Sequence, residues 1–74
     1  MQQQIHEIWS SELKLTDFSD DDDFFALGGH SLIMARIQAA IASEFGVEVP
    51  MDELFRRSTV AGISSYLESL QKVP

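Results

Sequence analysis

Apolar residues near the start of the chain recur at three- and four-residue steps, as they do along one face of an α-helix. Polar residues fill most of the positions between them. The spacing predicts a first helix over roughly residues 3–14, whose buried face consists of Ile5, Ile8, Trp9 and Leu13. His6 lies outside this stripe, and we expect it to be a solvated surface residue.

A second helix is predicted from about Ser31 to Phe45, because Gly46 suits the left-handed residue that often ends a helix. On a helical wheel its core face holds Ile33, Ile37, Ala40 and Ile41. Met34 lies at the edge of that face, a position compatible with either side of the helix. The opposite side, which we expect to face solvent, carries Ser31, Leu32, Ala35 and Ala39.

Two further helices are predicted after Pro50. Proline suits the first turn of a helix, and acidic residues such as Asp52 and Glu53 stabilise the positively charged N-terminal end. Residues 51–55 should therefore form a short helix. Ser58 or Thr59 is suited to cap a last helix that runs to about Leu70. Its apolar stripe is Val60, Ile63, Leu67 and Leu70, with Tyr66 on the flank. With no strand pattern or internal repeat, the chain is predicted to be a single all-α domain, 1–74, in the form of a small helical bundle.

The segment from Leu15 to His30 has no sustained period and contains four consecutive aspartates, so it is predicted to be a long loop. We expect it to be ordered, because apolar residues along it supply anchors to the core: Leu15, Phe18, Phe24, Phe25 and Leu27. Asp20 to Asp23 lack the interleaved spacing of a calcium loop, so no metal site is predicted. Their last members should instead cap the turn that holds Phe24 and Phe25.

Composition narrows the function. A chain of 74 residues has little room for a deep catalytic pocket. Its 12 acidic and 5 basic side chains give a net charge of −7, which disfavours nucleic acid and favours partners with basic surfaces. There is no cysteine, so thiol chemistry needs a thiol from outside. With no signal segment or long apolar run, we expect a soluble, cytoplasmic monomer without a membrane partner.

The candidate chemistry lies at Gly28-Gly29-His30-Ser31. A phosphate on the Ser31 oxygen would meet the positive end of the second helix. Serine is also a favoured helix cap, so these residues alone leave a plain cap open. A hydrolase built on His30 and Ser31 lacks an evident third member and an oxyanion hole, and no catalytic residue is predicted.

The string Phe24–Leu32, FFALGGHSL, resembles the attachment motif of peptidyl carrier proteins, the thiolation domains of nonribosomal peptide synthetases. Further segments fall in the order such domains show: Ile8-Trp9, Phe45–Val47, Val49-Pro50, Leu54-Phe55 and Ser58–Ala61. The resemblance implies four helices with a short third one, and a phosphopantetheine arm on Ser31 through a phosphodiester. Acyl carriers of the fatty-acid type usually have aspartate before the serine, so His30 favours the peptidyl subtype.

The resemblance also implies partners. A phosphopantetheinyl transferase attaches the arm from coenzyme A, and the arm's thiol holds an aminoacyl or peptidyl group as a thioester. An adenylation domain loads it, and condensation, tailoring or thioesterase domains consume it. We expect the partner-binding residues to be Gly29, His30, Leu32, Met34 and Ala35, with Gly28 also allowing close approach.

Two alternatives remain open. One is an acyl carrier for polyketide or fatty acid synthesis. The other is a helical interaction module in which Ser31 is only a cap. Arg56 and Arg57 form the one basic pair of neighbours, and we expect them to do ordinary surface work.

Overall fold

The computed structural model describes residues 1–71, which form four helices. They are α1 (Gln2–Leu13), α2 (Ser31–Phe45), α3 (Met51–Arg56) and α4 (Val60–Gln71). Helix α1 packs against both α2 and α4, and α3 packs against α2. The predicted all-α bundle with a short third helix is confirmed, and each helix begins and ends within a residue or so of its predicted bounds.

The helix ends follow from local chemistry. Gly46 follows the last residue of α2 and caps its C-terminus. Its φ of 71° is left-handed, which is possible because glycine has no Cβ. Helix α1 ends at Lys14, which adopts a φ of 57° without being glycine. At the start of α4, the N–H of Gly62 donates to Oγ1 of Thr59 at 2.9 Å. Thr59 therefore caps α4, which leaves the Ser58 hydroxyl available for another partner.

The core lies between the apolar stripes of the helices. From α1 it takes Ile5, Ile8 and Trp9, with Leu13 partly buried against them, as predicted. From α2 it takes Ile37 and Ile41, with Ile33 and Ala40 partly buried. The remaining core members are Phe24, Met34, Val49, Leu54, Val60, Ile63 and Leu67.

Two residues differ from the predicted pattern. Met34, which we expected to bind partners, is fully buried, so its side chain belongs to the core. A methionine at the edge of a stripe is long and flexible enough to turn into the core. Leu70 is 51% exposed, because it lies in the last turn of α4, where the buried stripe has already ended at Leu67.

The segment between α1 and α2, residues 14–30, is pinned to the core by aromatic side chains. Phe24 is fully buried and meets Trp9 edge-on, with ring centroids 6.0 Å apart. Phe18 stacks on His6 at 4.4 Å. The loop is ordered as predicted, and Phe18, Phe24 and Leu27 pack in or against the core. The predicted anchor Phe25 is instead 43% exposed and does not belong to the core.

His6 is not the solvated residue expected from the sequence. Its ring is part-buried between Phe18 and the loop carboxylate of Asp20, whose Oδ1 lies 2.5 Å from His6 Nδ1. Asp20 is 14 residues further along the chain, so the helical period of α1 alone does not reveal this contact.

Candidate functional site

Ser31 is the first residue of α2, and its side chain is exposed. The residue before it, His30, is the N-cap, with extended backbone and no side-chain cap hydrogen bond. The carbonyl of His30 accepts from the N–H of Met34 at 2.9 Å and so closes the first turn. Ser31 is therefore not the cap of α2, and its hydroxyl is presented to solvent at the helix start.

This helix start suits a phosphate on the Ser31 oxygen. The first N–H groups of an α-helix have no acceptor within the helix, and the macrodipole makes that end positive. No acidic residue lies in the first turn of α2, and no side chain competes as a cap. The N–H groups of Leu32 and Ile33 would face the added charge. The chain itself has no cysteine and therefore no thiol of its own.

The two glycines before the serine have different structural roles. Gly28 has a φ of 95°, a conformation that L side chains rarely adopt. Gly29 lies against the ring of Phe24, where an added Cβ would come within 2.3 Å of ring carbons. Its N–H also donates to the carbonyl of Phe24 at 3.0 Å. Both glycines are thus explained within the fold, and the close approach of a partner at this point stays a prediction.

Asp23 organises the turn before the glycines. Its Oδ2 accepts from the N–H groups of Phe25 at 3.0 Å and Ala26 at 3.1 Å, as predicted for the last aspartates of the loop. Its Oδ1 accepts from the hydroxyl of Ser58 at 2.5 Å. These hydrogen bonds, led by the one from Ser58, lower the pKa of Asp23 below its ordinary value.

Apolar side chains are exposed near the serine. Leu32 is 64% exposed and Ala35, one turn along α2, is also exposed, in agreement with the helical wheel. Phe25 and Phe55 form a stacked pair that was not predicted from the sequence, with rings 5.6 Å apart and inclined by 12°. Both are partly exposed. The available signal was the adjacency of Phe24 and Phe25, since two neighbouring side chains rarely point into one core.

Several charged side chains of the described residues have polar partners. Asp20 accepts from Gln2 at 2.6 Å and contacts His6, and these contacts lower its pKa, with Gln2 the larger cause. Arg56 and Arg57 lie 3.8 Å and 3.0 Å from the carboxylate of Glu53. Within residues 1–71, no group of acidic residues and histidines is placed to hold a metal ion. None of the described helices is long and apolar enough to cross a membrane.

Residues 3–67 match the family described as phosphopantetheine attachment site. Surfactin synthase subunit 3 of Bacillus subtilis (strain 168) is 44% identical over 69 residues, which are 93% of this chain and 5% of that protein. Polyketide synthase PksN of the same organism is 37% identical over 67 residues, 90% of this chain and 1% of its own length. The chain thus spans a small part of the relatives it matches.

Solved structures agree with the sequence comparisons. The structure of the McyG A-PCP, complexed with phenylalanyl-adenylate, matches this chain with a TM-score of 0.85 and 36% identity. The match covers 89% of this chain and 10% of the McyG chain. The peptidyl carrier protein in complex with the phosphopantetheine transferase Sfp and coenzyme A matches with a TM-score of 0.88 and 29% identity. That match covers 92% of this chain and 88% of the other.

The family match covers most of the chain and includes Ser31, which the fold leaves exposed at a helix start suited to a phosphate. The chain therefore belongs to the phosphopantetheine attachment site family, as a carrier domain of the kind found in nonribosomal peptide synthetases.

Proposed function

We propose that Ser31 carries the phosphopantetheine group and that the chain is a carrier with no catalytic activity of its own. The observation that supports this most directly is the exposed hydroxyl of Ser31 at the uncapped start of α2, inside the matched region. In the attachment reaction the Ser31 oxygen bonds to the phosphorus next to the pantetheine of coenzyme A. The bond from that phosphorus to the bridging diphosphate oxygen breaks, and the phosphoadenosine part leaves. A base of the transferase takes the hydroxyl proton.

The attached group supplies a thiol that holds the cargo as a thioester. The chain's own residues hold the attachment point: α2 presents Ser31, and its N–H groups and positive end stabilise the phosphodiester charge. No residue of the chain has to act on the thioester. The carrier role thus needs only an exposed, correctly oriented serine on a stable bundle.

The proposed partners are a phosphopantetheinyl transferase and the adenylation, condensation, thioesterase or tailoring domains of a synthetase. The transferase complex and the adenylation–carrier structure among the neighbours support the first two. Exposed residues flank the serine and would form the contact surface: His30, Leu32 and Ala35, with Gly29 half-buried beside them. A single domain 1–74, acting as a monomer in the cytoplasm, is part of the same proposal.

Intact mass spectrometry tests the attachment. The purified chain is incubated with coenzyme A and a promiscuous phosphopantetheinyl transferase. The parent chain should gain the mass of one phosphopantetheine group, and Ser31→Ala should gain none. Ser43→Ala is the matched control, because Ser43 is an exposed serine on the same helix, and it should gain the group like the parent. An unmodified parent, or a modified Ser31→Ala, would contradict the proposal.

A second candidate, an acyl carrier of polyketide synthesis, is favoured by the similarity to PksN. The loading enzyme separates the two. Aminoacylation of the modified chain by an adenylation domain with ATP supports the peptidyl role. Loading by an acyltransferase with malonyl-coenzyme A, and by no adenylation domain, would support the acyl role.

A further inference from the structure

We propose that Ser58 and Asp23 are positioning residues for the modification of Ser31. Neither residue belongs to the Gly28–Ser31 segment. The two residues are hydrogen-bonded to each other, and they hold the loop segment that leads into α2. This inference rests on the proposed function, because it concerns the rate at which Ser31 is modified.

Ser58 contacts the loop at two neighbouring residues, Asp23 and Phe24, and Asp23 is 35 residues away along the chain. Its hydroxyl donates to Oδ1 of Asp23 at 2.5 Å. Its carbonyl accepts from the N–H of Phe24 at 2.7 Å. The hydroxyl is available for this contact because the neighbouring Thr59 caps α4. Ser58 thus joins the junction between α3 and α4 to the loop before α2.

Hydrogen bonds continue from this junction to Gly29, two residues before Ser31. The second carboxylate oxygen of Asp23, Oδ2, accepts from the N–H groups of Phe25 and Ala26. The backbone carbonyl of Asp23 accepts from the N–H of Leu27 at 3.1 Å. The carbonyl of Phe24 accepts from Gly29 at 3.0 Å. Gly29 is followed directly by His30, the N-cap of α2, and by Ser31. The Ser58 contacts therefore set the path of the backbone up to two residues before the attachment point.

Such a contact acts on the orientation of the hydroxyl more than on recognition. Leu32 and Ala35 lie on α2 itself, whereas the hydrogen bond of the Ser58 hydroxyl goes to Asp23 in the loop. Losing that hydroxyl should leave the docking face in place while the turn at residues 23–29 becomes less fixed. A reacting oxygen that is displaced even slightly from the productive position reacts more slowly. We therefore expect the substitution to lower kcat.

The fold should survive the change. In Ser58→Ala both backbone contacts of the loop remain, namely Phe24 N–H to Ser58 carbonyl and Ala61 N–H to Asp20 carbonyl at 3.0 Å. Ser58→Thr retains the hydroxyl. Ser65→Ala is the matched control, since Ser65 is an exposed serine on α4.

The experiment measures transferase kinetics with coenzyme A on the parent chain, Ser58→Ala, Ser58→Thr, Asp23→Asn and Ser65→Ala. All are assayed at a temperature at which circular dichroism shows them folded. For Ser58→Ala and Asp23→Asn we expect kcat to fall about tenfold with KM changed less than about twofold. Ser58→Thr and Ser65→Ala should match the parent. Carboxyl NMR should show the pKa of Asp23 rising toward its ordinary value in Ser58→Ala, because the largest lowering cause is removed.

Three results would overturn the inference. One is a parent-like kcat in both Ser58→Ala and Asp23→Asn. Another is a loss that appears only in KM, which would place these residues in recognition. The third is an equal loss in Ser65→Ala. If the parent chain itself were not modified, the proposed function would fail and this inference with it, so the two failures are distinguishable.

Discussion

The ring of Phe24 fills the space beside Gly29 in which a side chain would stand. A Cβ built on Gly29 meets three ring carbons of Phe24 at 2.3 to 2.6 Å, much closer than real contacts allow. The same ring is fully buried and meets Trp9 edge-on, so moving it would disturb the core. Gly29, which lies two residues before Ser31, is thereby coupled to the centre of the core.

Replacing Gly29 by alanine should lower the free energy of unfolding by about 1–3 kcal/mol, the range for overpacking a filled core. In a Phe24→Leu background the same replacement should cost less, because the smaller side chain leaves room for the methyl group. Urea unfolding of the parent, the two single variants and the double variant gives the coupling. Strictly additive effects would show that the two residues do not compete for this space.

The wheel of α2 predicts opposite outcomes for two aspartate substitutions. Ile37 is fully buried and Leu32 is 64% exposed. Ile37→Asp should unfold the domain, because an unpaired charge would be buried. Leu32→Asp should keep the parent's thermal midpoint but raise the KM for the transferase. Thermal unfolding followed by circular dichroism checks the first part, and an equal loss of stability in both variants would place Leu32 in the core.

Much of this arrangement is encoded locally. The apolar spacing along α2 and the glycine after it predict both ends of the helix correctly. Both signals come from residues that are close to one another in the sequence. The prediction that Met34 binds partners is wrong, because a residue at the edge of the stripe turns inward or outward according to the side chains that pack against it. The sequence does not state that.

The contacts that hold the loop could not be read from neighbouring positions. His6 with Asp20, Asp23 with Ser58, and Phe25 with Phe55 join residues 14, 35 and 30 positions apart. Each depends on how the helices are arranged in space. Ser58 and Thr59 were equally suited to cap α4, and only the fold shows that Thr59 does so while Ser58 bonds to the loop.

Stability should fall in acid through two loop carboxylates. The folded-state pKa values of Asp20 and Asp23 both lie below the ordinary 3.8, through hydrogen bonds from Gln2 and His6 in one case and chiefly from Ser58 in the other. A lowered pKa contributes stability that is fully present above the unfolded value and is lost as the pH falls through the folded value.

We therefore expect the free energy of unfolding to decrease below about pH 4, and less steeply in Asp20→Asn and Asp23→Asn than in the parent. Urea unfolding at a series of pH values measures this. Asp21→Asn is the control, because its carboxylate is exposed and it should follow the parent curve. Parallel curves for all four proteins would show that these two contacts do not contribute to folding.

Association with a basic transferase should be steered by the net charge of −7. Asp17 and Asp21 are exposed and allow a test that leaves the loop's structural carboxylates intact. Changing both to asparagine should slow modification at low salt and have less effect at high salt, since charges are screened beyond a Debye length of about 8 Å at physiological salt. Leu32→Ala should slow it at both. An aspartate effect that is independent of salt would mean direct contact instead of steering.

The central claim, attachment at Ser31, is tested most directly by locating the added group within the chain. Trypsin should release the peptide from Leu15 to Arg36, which contains three hydroxyl side chains: Thr16, Ser19 and Ser31. After treatment with coenzyme A and the transferase, tandem mass spectrometry of this peptide distinguishes them. We predict that the fragments from Ser31 to Arg36 carry one phosphopantetheine group and that the fragments covering Thr16 and Ser19 carry none. A group on Thr16 or Ser19, or on another peptide, would contradict the assignment of Ser31.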